Sequence, residues 1–145
     1  MADKIYFDAT EVFENIDNFI SDLPSKMARK TEEVTLFIEG ESKKNCPVDD
    51  GLLRNSISHY VDIDEVGTAV TGYVGSNLGY APFVHQGTGL YAVDGNGRKE
   101  VPWHYQTPDG QWHTTSGQKP NAFIQDSVDS NMGKLKEFFR GLLDE

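Results

Sequence analysis

Cysteine is nearly absent from this chain of 145 residues, where Cys46 stands alone. A single thiol has no internal disulfide partner, which fits a reducing compartment. Positive charge is scarce as well: 13 Lys and Arg stand against 23 Asp and Glu, for a formal net charge of −10 and a pI near 4.7. Gripping nucleic-acid phosphate or anionic lipid takes clustered basic residues, so neither is expected as the main task. No apolar run approaches the ~20 residues of a membrane span. The opening Met-Ala-Asp-Lys-Ile-Tyr-Phe-Asp lacks the charged stub and apolar stretch of a secretory signal. Internal repeats, long linkers and low-complexity tracts are missing too.

What is present reads as one globular α+β domain over residues 1–145. The apolar share is 37%, enough for a core at a length typical of single domains. Val12, Phe13, Ile16, Phe19, Ile20 and Leu23 form one stripe at the 3.6-residue helical period. Asp8 or Thr10 suits the cap, and Glu11 and Glu14 suit the positive helix start. A second run carries Met27, Val34, Phe37 and Ile38 and stops before Pro47. One rod from Thr10 to Asn45 would be about 54 Å long. So Pro24 either bends it or leaves part of it protruding.

Asp49-Asp50-Gly51 reads as a turn that leads into a short helix, with Asp50 as cap and Leu52, Leu53 and Ile57 packed. Ser58–Ile63 and Thr68–Val74 alternate as a β-hairpin. Tyr80, Pro82 and Phe83 read as a compact apolar knuckle, stopped by Gly87-Thr88-Gly89. In the polar, Gly-rich stretch 90–116, Thr107-Pro108-Asp109-Gly110-Gln111 is a turn that pairs Tyr105 with His113. After Pro120 a C-terminal helix is expected, with Ile124, Val128, Leu135, Phe138, Phe139, Leu142 and Leu143 mostly on one face.

No His has a zinc-like partner at i+3 or i+4, and His104 and His113 fall on opposite hairpin faces, so no metal is expected. Cys46 could be a nucleophile only if neighbours such as Lys43 and Lys44 lowered its pKa. Gly87-Thr88-Gly89 lacks the Gly-Lys-Ser/Thr of a phosphate loop. No catalytic residue and no cofactor is therefore expected.

Three segments resemble, in order and spacing, a family of small proteins from long-tailed double-stranded DNA phages and prophages. It is the tail-completion, or head–tail joining, family named for gene product ten of phage HK-ninety-seven. Cys46-Pro47-Val48-Asp49-Asp50-Gly51-Leu52-Leu53-Arg54-Asn55-Ser56-Ile57 is similar to its Pro-Val-Asp-Thr-Gly stretch followed by Leu, a basic residue and Ser-Ile. Tyr80-Ala81-Pro82-Phe83-Val84-His85-Gln86-Gly87-Thr88 resembles its Tyr-Ala-Pro-Tyr-Val-Glu-x-Gly-Thr. Gly117-Gln118-Lys119-Pro120-Asn121-Ala122-Phe123-Ile124 resembles its Gly-x-x-Pro-x-Pro-Phe-Leu. Asp50, His85 and Ala122 depart from the usual Thr, Glu and Pro. His85 carries no carboxylate, so no role for that charge transfers.

The resemblance implies a virion structural protein and no enzyme. It would form a neck or tail-top ring that joins tail to head and lets DNA pass, working in the virion and assembling in the host cytoplasm. Six subunits are expected first and twelve second, with the tail tube protein and a head-completion or adaptor protein as partners. A tail-terminator ring is the alternative, and a hydrolase built on Cys46 or the histidines is a distant third. Phe83, Trp103, Tyr105 and Trp112 are the expected interface anchors, since aromatics on loops and hairpins carry much binding energy. Glu11, Glu14 and Asp17 are the expected lumen-facing acids, on a segment with no base between Asp8 and Asp22. Membrane and specific nucleic-acid contacts are not expected.

Overall fold

The computed structural model describes residues 8–49 and 51–142. Asp50, Leu143 and the opening segment through Phe7 lie outside the described residues, so the expected Asp50 cap falls there. The fold is mixed helix and sheet. The long helix α1 (Thr10–Asn45) is followed by α2 (Leu52–Ser56), a hairpin of β1 (Ile57–Ile63) and β2 (Val70–Ser76), and α3 (Ala81–Gln86). A single turn of 3-10 helix (Gly89–Tyr91) leads to a second hairpin, β3 (Trp103–Gln106) and β4 (Trp112–Thr115). The C-terminal region holds α4 (Phe123–Ser130) and α5 (Met132–Arg140).

Helix α1 runs unbroken through Pro24. Asp8 starts it by accepting a 2.9 Å hydrogen bond from the Thr10 amide. Pro24 has no N–H to give to the Ile20 carbonyl, a loss that water makes good where the helix is exposed. Protrusion, not folding back, is how the 54 Å rod is accommodated. The β1–β2 hairpin lies along the second half of α1, antiparallel with Ile57 opposite Ser76 and Ile63 opposite Val70. Its tip ends at Pro24, where a Cβ placed on Gly67 would lie 3.7 Å from the proline ring. Residues 11–22 stand beyond the body with every side chain exposed. The stripe of Val12, Phe13, Ile16, Phe19 and Ile20 is thus uncovered.

Two elements pack differently from expectation. The C-terminal helix is two helices, because Asn131 leaves the helical conformation (φ −114°, ψ 12°). Its side-chain amide donates to the Ser127 carbonyl at 2.8 Å, and so competes with the backbone for that acceptor. Phe139 consequently sits on an exposed face, while Phe138 meets Phe37 at 5.7 Å between ring centres. In α2, Leu53 and Ile57 share the inner face at i and i+4 and are buried, which turns Leu52 outward.

The core is small. Cys46, Leu53, Ile57, Ala81 and Phe123 form it, with Val74, Leu78, Val84 and Ile124 packed around them. The protruding start of α1 and the second hairpin, whose strands pack mainly on each other, stand outside this core.

Two glycines with left-handed backbone make a testable contrast. Gly51 (φ 83°) has space for a Cβ, with nothing nearer than 3.7 Å, whereas a Cβ on Gly117 (φ 125°) would meet the Thr88 carbonyl oxygen at 2.1 Å. Gly51→Ala should cost about 1 kcal/mol, the strain of the left-handed conformation alone. Gly117→Ala adds a backbone collision and should cost clearly more. Chemical-denaturation midpoints of the two variants check this, and equal losses would refute the crossing at Gly117.

Candidate interaction surfaces

The three resembling segments meet at one place. Cys46 and Leu53 of the first, Ala81 and Val84 of the second, and Phe123 of the third share the core. A backbone crossing locks the second segment to the third. The Thr88 amide donates to the Gln118 carbonyl at 2.9 Å, the Leu90 amide to the Ser116 carbonyl at 3.0 Å, and the Asn121 amide to the Val84 carbonyl at 2.9 Å. The Gln118 amide donates to the Thr88 hydroxyl at 2.9 Å. Gly87, Gly89 and Gly117 take positive φ at this crossing.

Above it lies an open cleft of about 420 Å³ lined by Pro47, Val48, Gly51, Leu52, Leu53, Tyr80, Val84 and Gln118. Among the described residues no nucleophile–base pair lines it, and its mixed lining, with Asp49 and Gln118 beside Leu52, Leu53 and Val84, suits a partner's side chain. The expected knuckle is looser than a packed one: Tyr80, Pro82 and Phe83 are all exposed, Phe83 to 60%. Helix α3 turns its Ala81 and Val84 face inward, which leaves Pro82 and Phe83 on the outer side. Ser56 and Pro120 hold the frame rather than a site. The Ser56 hydroxyl donates to the Leu53 carbonyl at 2.7 Å, and Pro120 follows directly on the crossing.

The second hairpin has the expected register, with Tyr105 opposite His113 and Trp103 opposite Thr115. The Thr107 amide donates to the Gln111 carbonyl at 2.9 Å and closes the turn. Trp112 is 70% exposed, the largest bare aromatic on the chain, and Tyr105 is exposed and stacked on His113 at 5.3 Å. Trp103 is half-buried, with the Arg98 guanidinium 5.3 Å above its ring. Sequence reasoning missed a further aromatic pair on the outer face of the first hairpin. Tyr60 and Tyr73, directly opposed, stack at 4.5 Å and 14°. Their positions in the alternating strands carried the signal.

Chemical groups elsewhere are committed to structure. Cys46 is buried, and burial pushes its thiol up despite the opposing influence of Arg54. Lys43 and Lys44 do not activate it, because they pair with Glu39 and Glu41. His104 hydrogen-bonds Thr114 at 2.8 Å, and His85 meets Phe123 edge-on at 5.6 Å. Among the described residues no group of three His, Cys, Asp or Glu is placed to hold a metal ion. Nor is any helix among them long and apolar enough to cross a membrane.

His59 is the one histidine in a charge cluster. From β1 it reaches α1, where Nδ1 bonds Glu39 and Nε2 lies 2.9 Å from Glu32. Glu39, and after it Glu32, raises the His59 pKa. His59, and after it Lys43, lowers that of Glu39. The acids of the protruding arm are all exposed. By the helical period Glu14 lies opposite the apolar stripe, with Glu11 and Asp17 on the two edges of the polar arc. Compared with models of known families, with characterised proteins and with solved structures, the chain matches none.

The His59 clamp has a defined pH window. A raised histidine stabilises fully below its unfolded value of 6.5 and loses that contribution as pH climbs through the raised one. A lowered glutamate stabilises above its unfolded value of 4.5 and loses it as pH falls through the depressed one. Both contributions are complete only between about 4.5 and 6.5. The stability gap between the native chain and His59→Gln should be widest in that window and shrink as pH climbs through the raised His59 value. Denaturation midpoints across pH test this, and a pH-independent gap would remove the clamp.

Proposed function

We propose that this chain is a ring-forming structural protein of a long-tailed phage or prophage virion, placed at the neck or tail top, where it joins the tail to the head. The observation that carries the reading is exposed apolar surface on two elements outside the core: the helical arm with Val12, Phe13, Ile16, Phe19 and Ile20, and the hairpin with Tyr105 and Trp112. Such elements are the parts an assembly protein shares with its neighbours. The motif segments that suggested the phage family supply the small core and its cleft, which is the part a ring subunit needs to be rigid. The work is assembly and DNA passage, with the tail tube protein on one side and a head-completion or adaptor protein on the other.

Head-to-tail contacts close into a ring when the rotation between subunits divides the circle. A six-fold ring matches the reading best, and a twelve-fold ring comes second. Mass measurement in solution with negative-stain imaging of the purified protein tests it, and a stable monomer at high concentration would overturn it. Trp103→Ala with Trp112→Ala should leave the helical circular-dichroism signal intact and block assembly of rings or virions, since the hairpin lies outside the core. Normal assembly of that double variant would strip the hairpin of its role. The net charge of −10 also predicts no gel shift of duplex DNA at about 150 mM salt, because a junction ring must let DNA slide. Tight, salt-sensitive binding would count against a passive conduit.

A further inference from the structure

We infer that the protruding start of α1, residues 10–23, packs onto α5 of a second copy of this chain. The arm cannot be covered by its own body, because the hairpin tip stops at Pro24. It rises about 20 Å beyond that point. It bears Val12, Phe13, Ile16, Phe19 and Ile20, all exposed, in one stripe. Water-facing apolar area of this extent on one helical face marks a contact surface.

Charge selects the occupant. The arm carries Glu11, Glu14, Asp17 and Asp22 and no base. The helical period sets Asp17 along one margin of the stripe and Glu11 with Asp22 along the other. A partner must offer apolar side chains flanked by positive charge. Helix α5 offers this: Met132 and Phe139 are exposed, and Lys136 and Arg140 stand beside them at i+4 and i+8 from Met132. Its inner face is already spent on α1, through Phe138 against Phe37 and Lys134 over the Phe37 ring at 4.5 Å. Among the described residues, Met132, Lys136, Phe139 and Arg140 of the outer face stay exposed. An acidic amphipathic arm and a basic amphipathic patch on one molecule are complementary between copies.

The contact is heterologous, arm to α5, so each copy gives one arm and receives another. This names how copies of the proposed ring would meet, and it rests on self-association rather than on a virion role. It also assigns Glu11 and Asp17 to the contact and leaves Glu14 facing away.

The test is charge reversal with rescue on the full chain, read by sedimentation or light scattering. Glu11→Lys with Asp17→Lys should weaken self-association at least about tenfold, and Lys136→Glu with Arg140→Glu should do the same. Mixing the two reversed chains should restore assembly, because in alternation the reversed arm meets the reversed α5 and the native arm meets the native α5. Circular dichroism verifies folding, since all four sites are exposed. As an independent reading, Ile16→Cys and Phe139→Cys chains should form a disulfide with each other on mixing; native Cys46 is buried and takes no part. Undiminished assembly of both reversed chains, no rescue on mixing, or a monomeric native chain would overturn the inference. Arm-dependent pairs without rings would sustain it while defeating the ring reading. Rings indifferent to the arm would do the reverse.

Discussion

Burial of the Phe123 ring is the contact on which the body depends. Phe123 is 1% exposed and touches Cys46 from the end of α1, Leu53 and Ile57 from α2 and β1, and Ala81 from α3. Truncating such a ring to Ala typically costs 3–5 kcal/mol, a large part of the roughly 5–15 kcal/mol that holds a domain. Neighbouring contacts aim it. Asn45 donates from the end of α1 to the Ser127 hydroxyl at 2.8 Å, and Ser127 donates to the Phe123 carbonyl at 2.6 Å. The crossing of residues 87–90 with 116–118 brings the chain to the start of α4. Cys46, Leu53, Ala81, Val84 and Phe123 of the three segments thus meet in one packing knot, while Pro47, Leu52, Tyr80 and Pro82 stay exposed.

A core this small has consequences for the rest. Helix α1 is held along its second half only, by the hairpin on one side and α4 with α5 on another. Gly72 lets β2 lie against that half, since a Cβ there would sit 2.2 Å from the Thr35 methyl. His59 adds a polar tie between the same two elements. Past Pro24 the tie is slighter: Lys26 reaches back to 5.8 Å from the Phe19 ring centre. The arm's helicity then leans on its own hydrogen bonds and on Asp8 accepting the Thr10 amide, which are marginal for so short a segment in water. Contact with another apolar surface would supply what its isolation withholds.

Periodicity made the elements legible, because alternation and the 3.6-residue repeat are local properties. The Pro-Asp-Gly turn even fixed the pairing of Tyr105 with His113, since loop length sets hairpin register. Gly51 was legible as a turn glycine and takes φ 83°. What stayed hidden was which apolar stripes find a partner. Val12 to Leu23 has the same pattern whether it faces a core or another molecule, so its exposure could not be read from spacing. Leu52 and Leu53 are adjacent leucines of equal hydropathy, and only the direction of α2 decides that one is buried. The break at Asn131 depends on one side-chain amide choosing the Ser127 carbonyl. The His59–Glu39–Glu32 cluster joins residues 20 and 27 positions apart and carries no local signature.

The distribution of charge links these features to assembly. A molecule with a net charge of −10 repels its copies at long range, with a reach of about 8 Å at physiological salt. Copies can meet only where that field is locally reversed or overcome by apolar contact. Helix α5 carries Lys134, Lys136 and Arg140 against the single acid Glu137, whereas the arm is wholly acidic. Like surfaces, arm on arm, would set Glu11, Asp17 and Asp22 against the same three acids across the contact. That arrangement disfavours a symmetric arm-to-arm pair, whereas the basic side chains of α5 are of the sign that the proposed arm contact calls for. Placing the two charge signs on different helices of one chain is what would favour a head-to-tail contact over a symmetric one.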